Sequence, residues 1–283
     1  MSAGTAHRDM AGRPIGVFDS GVGGLTVLQA LRCALPAEHY IYLGDTARLP
    51  YGTKSPETVV RYALQAADAL VARGIKALVV ACNTASAAAL EALRAHHPTL
   101  LVIGVIEPGA AAAVRASQHG HIAVLATEGT VRGGAYQRAI HALRSEAVVT
   151  AVPCQLFVAL AEEGWTDGVV VEATVARYLA PLFEQVIARP DTLVLGCTHF
   201  PVLRAAIAGY AGSGTTIVDS ADTTARVVQA QLAAGGLLRT AGQGALQFLA
   251  TDGAVRFAAV GSRFLGQPLQ AEAIELIDLQ HLR

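Results

Sequence analysis

ALVVACNTASAAALEALRAHH, residues 77–97, changes its period midway. Four apolar residues read as a buried strand, and the run stops at Ala81-Cys82-Asn83-Thr84. An alanine-rich stretch with helical spacing follows. A strand that gives way to a helix through small polar residues is half of a βα unit, and the unit recurs. PIGVFDSGVGG (14–24) leads into LTVLQALRCAL, and YIYLGD (40–45) leads through TARLPYGTKSPE into TVVRYALQAADALVARG. LLVIGVIEPG leads into AAAAVRAS, and HIAVLATEGT, AYQRAIHAL, DTLVLGCTHFP and VLRAAIAGY continue the alternation. Such alternation predicts a parallel sheet flanked by helices, an α/β fold. The helix expected from residue 56 has a defined start, with Ser55 as cap, Pro56 in the first turn and Glu57 facing the dipole.

The pattern is duplicated. IGVFDSGVGG opens the first half and IAVLATEGTV (122–131) opens the second. TLVLGCTHFP (192–201) then repeats the order of apolar run, small residue, cysteine and polar groups. Turn-rich EPG (107–109) and AGSGT (211–215) bracket the second half. We expect two similar lobes, each a mostly parallel sheet flanked by helices, with the active site in the cleft between them. Residues 1–106 would carry Cys82 in the first lobe and residues 107–216 would carry Cys197 in the second. Residues 217–283 would return to complete the first lobe. In parallel sheets, ligands gather at the carboxyl ends of strands, where Asp19, Cys82, Thr127 and Cys197 all fall.

A lone free cysteine ordinarily packs as a small hydrophobe. Cys82 and Cys197 differ because both stand at a strand end just before an expected helix, whose N-terminus favours the thiolate. Cys33 and Cys154 lack that setting and read as packing residues. Asp19 is an acid ending an apolar strand beside the Gly21/Gly23/Gly24 cluster. That spacing is not a dinucleotide fingerprint and fits a strand-to-helix turn. His199 follows Cys197 by two, a place for an acid/base or orienting group. No second Cys/His cluster stands near it, so no metal is expected. Glu162–Glu163 read as a solvated helix end. Lysine occurs only at Lys54 and Lys76, and Lys76 has no phosphate loop beside it, so pyridoxal phosphate is rejected and no cofactor is expected.

The 283 residues are 53% hydrophobic and 15% charged with a net charge of −1, enough to bury a sizeable core and without a basic surplus for nucleic acid. The longest charge-free run, Ala147–Ala161, is 15 residues and contains Pro153, too short for a membrane span. The first 14 residues have no apolar core of a signal peptide and read as a ragged start. Four scattered cysteines suit a reduced, cytoplasmic protein.

GVFDSGVGGLTV, YLGDTARLPYGTKS, VVACNTASA, VIEPG and LVLGCTHFPVL together closely resemble the glutamate racemase family, within the cofactor-independent aspartate/glutamate racemase superfamily. The likeness runs from about Ile15 to about residue 222. It implies two α/β domains facing a buried site, with Cys82 and Cys197 as the two acid/base thiols. Asp19, Ser20, Tyr51, Gly52, Asn83, Thr84, Thr198 and His199 match the family's substrate-contacting positions. Thr127 and Thr130 fall in its T-x-G-T-x-x-S segment. Asp19 and His199 are implied to assist the cysteines, and Glu162 matches an acid given a similar role. Two departures stand out: Gly133 replaces a common serine, and CQLFVALAEEG lacks prolines common in that segment.

The resemblance implies interconversion of L- and D-glutamate, and so peptidoglycan synthesis in a bacterial cytoplasm. Inverting Cα requires removing a proton from one face and returning one to the other, which two opposed thiols do without turning the substrate. The anionic intermediate needs donors, and Asn83, Thr84, Thr198 and backbone N–H groups are suitable. A racemase of aspartate or another small acid, and a non-catalytic acid-binding protein whose lobes close on a ligand, stay open as alternatives. Homodimers are common in the family, and some members partner DNA gyrase. The neutral charge neither supports nor forbids the latter.

Overall fold

The computed structural model describes residues 10–184 and 189–279. Of the ragged start expected over the first 14 residues, 1–9 lie outside these. The strands are β1 (Ile15–Asp19), β2 (Tyr40–Gly44), β3 (Ala77–Val80), β4 (Leu101–Gly104), β5 (His121–Ala126), β6 (Val148–Pro153), β7 (Thr192–Gly196), β8 (Thr216–Asp219), β9 (Leu246–Ala250) and β10 (Ile274–Leu276). They form a six-stranded sheet of order β10-β9-β2-β1-β3-β4 and a four-stranded sheet of order β6-β5-β7-β8. Every strand pair in both is parallel.

The duplication read in the sequence is a duplication of topology. The order β2-β1-β3-β4 in one sheet matches β6-β5-β7-β8 in the other, and β9 and β10 extend only the first. Cys82 after β3 and Cys197 after β7 are therefore equivalent positions, as are Asp19 at the end of β1 and Thr127 after β5. β8 pairs with β7, so the chain leaves the smaller sheet after Asp219 rather than at the boundary expected at 217. The following helix, Ser220–Ala234, packs on Leu25–Ala34 beside the first sheet and on Ile106–Ala116.

Strands buried on both faces read as near-continuous apolar runs, and β1 and β7 do so apart from the terminal Asp19 and Thr192. In β1, Ile15 and Val17 enter one core layer and Phe18 the opposite one. In β7, Leu193 and Leu195 enter one layer and Val194 the other. Helix Pro56–Val71 begins as expected, with Ser55 Oγ accepting from the Thr58 N–H. Lys76 is buried against Glu38 and donates to the Ala11 and Leu237 carbonyls, which ties the returning tail to the first lobe. Among the described residues no helix is long and apolar enough to cross a membrane.

Candidate active site

The carboxyl ends of the central strands of both sheets face one cavity of about 410 Å³, within the usual range for small-molecule sites. Its walls include Ser20, Tyr51, Gly52, Cys82, Asn83 and Thr84 from one side and Thr127, Glu162, Cys197, Thr198 and His199 from the other. Asp19 and Thr130 stand behind the wall rather than in it. Asp19 is fully buried, with Oδ2 accepting from the Gly21 N–H at 2.9 Å and Oδ1 without a partner. Thr130 closes a three-hydroxyl cluster with Thr84 and Thr127, with oxygens 2.9–3.3 Å apart, across the junction of the lobes.

Cys82 is the N-cap of helix Asn83–His96. Its Sγ accepts from the Ala85 N–H at 3.4 Å and its thiol donates to Ser20 Oγ at 3.4 Å. A helix N-terminus alone would favour a thiolate. Here burial, followed by the nearby Asp19 carboxyl, outweighs those hydrogen bonds and pushes the thiol up to about 12. The helix N-terminus, which by itself favours the thiolate, is thus opposed at Cys82 by burial and by Asp19. Cys197 has a different neighbourhood, followed by a short 3₁₀ turn, Phe200–Leu203, rather than directly by an α-helix.

His199 fills the space beside Cys197, with Nδ1 3.8 Å from Sγ and Nε2 3.2 Å from Glu162 Oε1. Burial alone would neutralise the ring. Hydrogen bonds to Cys197 and Glu162 overcome it and raise the imidazole to about 10. The His199 hydrogen bond in turn holds the Glu162 carboxyl low, with Arg256 adding to it. Glu162 is therefore not the solvated helix end its sequence suggests. Its Oε2 accepts from Arg256 at 3.1 Å and its carbonyl from Arg263 at 2.7 Å, both on the returning helix Ala254–Leu265.

Two further site residues, Tyr136 and Gln155, carry no local signal. Tyr136 donates to Asn83 Oδ1 at 2.8 Å, which orients the amide and leaves its buried Nδ2 unpaired as a donor. Tyr51 gives its hydroxyl to the buried Asp45. Gln155 lines the cavity with a buried, unpaired Oε1. Among the described residues the walls contain no lysine or arginine, so an acidic ligand here meets neutral N–H and O–H donors and the His199 ring, which is paired with Glu162. Cys154 is buried as expected, whereas Cys33 is exposed on helix Leu25–Ala34 and does not pack.

Residues 15–228 match the family described as Asp/Glu/Hydantoin racemase. The chain belongs to this family. It is 53% identical to glutamate racemase of Geobacter metallireducens, over 92% of this chain and 95% of that one. Its fold superposes on the crystal structure of glutamate racemase from Francisella tularensis in complex with D-glutamate, with a TM-score of 0.88. Identity there is 35%, covering 95% of this chain and 98% of the other. The Thermus thermophilus glutamate racemase in complex with beta-chloro-D-alanine gives a TM-score of 0.85 at 42% identity, covering 96% and 99%. The protein is a racemase, an isomerase with the two-lobed α/β fold.

In this racemase the charge pattern carries a consequence for stability. His199 and Cys82 bind their protons more tightly folded than unfolded. Their contributions are complete below the unfolded values and are lost as pH rises through about 10 and about 12. Glu162, held below its ordinary 4.5, acts oppositely, and its contribution is lost as pH falls through its folded value. The Tm, followed by circular dichroism, is expected to fall as pH rises from about 6.5 towards 10, with a flatter alkaline limb in His199→Gln. An alkaline limb unchanged by that substitution contradicts the assignment to His199.

Proposed function

We propose that this racemase interconverts L- and D-glutamate by a two-base mechanism, with Cys82 and Cys197 as the acid/base groups. One observation carries the reading: two cysteines at equivalent strand ends of the two lobes line the same cavity. The imidazolium of His199 beside Cys197 stabilises negative charge on that sulfur, while Cys82 stands as a thiol donating to Ser20. One base and one acid then face the substrate together. The Cys197 thiolate takes the Cα proton of one enantiomer, and the pair left on carbon takes the Cys82 proton on the opposite face. The reverse reaction exchanges the roles.

Ser20, Gly52, Asn83, Thr84, Thr127 and Thr198 are assigned to holding the substrate carboxylates and the developing negative charge. Their neutral donors suit a site that must bind an acid without a fixed salt bridge. Tyr51 joins them in the wall, Asp19 and Thr130 support them from behind, and Glu162 keeps His199 charged. The D-glutamate formed would supply peptidoglycan precursors, in keeping with a reducing cytoplasm. We take Cys82 to belong to a lobe of residues 1–106 completed by the tail, and Cys197 to the intervening lobe. A binder of acids needs neither cysteine. A preference for aspartate would show directly in the same assay run with aspartate.

The test uses D₂O as solvent. The thiol that delivers the proton has exchanged with solvent, so early product is expected to carry deuterium at Cα. A reversed first step returns the original proton from the other cysteine, so recovered substrate stays largely protiated, whichever enantiomer is supplied. Comparable deuterium in substrate and product at low conversion, from both L- and D-glutamate, would overturn the two-base assignment.

A further inference from the structure

Helix Pro56–Val71 and helix Asn83–His96 pack side by side on one face of the first sheet. Near their carboxyl ends, Asp68 of the first meets His96, the last residue of the second, and His97, which caps it. Asp68 Oδ1 lies 3.2 Å from His96 Nε2 and 3.1 Å from His97 Nε2, and the three atoms all fall within 4.8 Å of one another. We propose that Asp68, His96 and His97 form a binding site for one divalent transition-metal ion of the zinc class, remote from the chemistry.

Three observations support this. Two imidazole nitrogens and a carboxylate oxygen are the donor set that zinc-class ions prefer. Ligands about 2.0–2.1 Å from a tetrahedral ion stand about 3.3–3.4 Å apart. The two measured Asp68–His separations need little adjustment to reach that spacing. The third observation is an unmet need. His96 makes a hydrogen bond to Asp68, but His97 Nε2 is buried, has no hydrogen-bond partner and still points within 3.1 Å of the same oxygen. Ordinary hydrogen bonding therefore satisfies one imidazole and strands the other, which is unfavourable for a buried polar atom. One ion between the three atoms satisfies all of them.

Asp68 and His96 are about half exposed, so an ion can enter from solvent and water can complete its shell. The charge fits as well. Arg94, close by in sequence, is taken by Glu107 and the Val102 carbonyl, and the ion-pair partners of Asp68 among the described residues are the two imidazoles. Helix Asn83–His96 has Cys82 as its cap and bears Asn83 and Thr84 at its other end, about 20 Å away. An ion at the far end would staple this helix to its neighbour and act on stability rather than on proton transfer.

The test titrates chelator-dialysed full-length protein with CoCl₂ and ZnCl₂, followed by calorimetry, cobalt absorption and Tm. One equivalent is expected to bind with a nitrogen/oxygen cobalt spectrum and to raise the Tm. Asp68→Asn, His96→Ala and His97→Gln should each weaken that equivalent by at least about tenfold while racemisation persists. Cys82→Ala should keep it. The proposal is overturned if no saturable binding occurs, or if binding survives all three substitutions. It is equally overturned if the bound equivalent shows thiolate-to-cobalt charge transfer and disappears in Cys82→Ala, which places the ion on the active-site thiols. The metal-free Tm of each variant separates a lost ligand from a damaged helix end.

Discussion

Cys82→Ala and Cys197→Ala are each expected to abolish racemisation, lowering turnover by at least about 10³-fold in both directions, because each removes the sole proton carrier on one face of Cα. The two losses should not add in the double variant, since a single missing partner already stops inversion. Folding should survive. Both cysteines are buried at the edge of a core layer and line the cavity, so alanine removes one sulfur from each layer and costs a modest packing loss. Cys33→Ala and Cys154→Ala provide the contrast. Cys33 is exposed, and Cys154 is buried outside the cavity wall, so both variants should keep turnover, with at most a packing loss for Cys154. Optical rotation with L- and D-glutamate reads all four. Substantial turnover in either alanine variant of Cys82 or Cys197, with a normal Tm, would sink the assignment of two opposed thiols.

Much of this arrangement was legible in the sequence because its signals are local. Strand and helix periods alternate along the chain. The two apolar runs ending in Cys-Asn-Thr and Cys-Thr-His mark equivalent strand ends before any coordinates are known. What escaped depends on contacts between distant segments. Arg256 and Arg263 reach Glu162 across 94 and 101 residues, and nothing in AEEGW announces a buried partner for its first acid. Tyr136 finds Asn83 across 53 residues. What opposes ionisation of Cys82 escaped for the same reason. A helix N-terminus can be seen in a sequence, whereas burial and the approach of Asp19 belong to the assembled fold. Cys33 reversed expectation more simply, since LTVLQALRCAL does not fix which turn of the helix faces water.

Gly23→Ala is expected to reduce kcat/KM by about 10²-fold while leaving the fold in place. The glycine lies in the turn between β1 and helix Leu25–Ala34, and its φ is not positive, so the backbone itself accepts alanine. Space does not. A methyl there would lie 2.4 Å from Thr198 Oγ1, 2.5 Å from His199 Nδ1 and 2.6 Å from His199 Cε1. Retreat is restricted, because Thr26 Oγ1 donates to both the Gly23 carbonyl, at 2.9 Å, and the Thr198 carbonyl, at 3.3 Å, which holds the turn against the second lobe. The ring behind is held by Glu162 and the edge of Phe264. Thr198 and His199 must therefore shift by a fraction of an ångström to about one, and His199 Nδ1 is the atom that faces Cys197. A displacement of that size costs catalysis more than stability, because proton transfer depends on alignment and packing can relax. Gly209→Ala is the control, with open space around the added methyl and no positive φ. It should leave kinetics unchanged. Wild-type kcat/KM in Gly23→Ala would show that the first lobe's glycine turn does not set the position of His199.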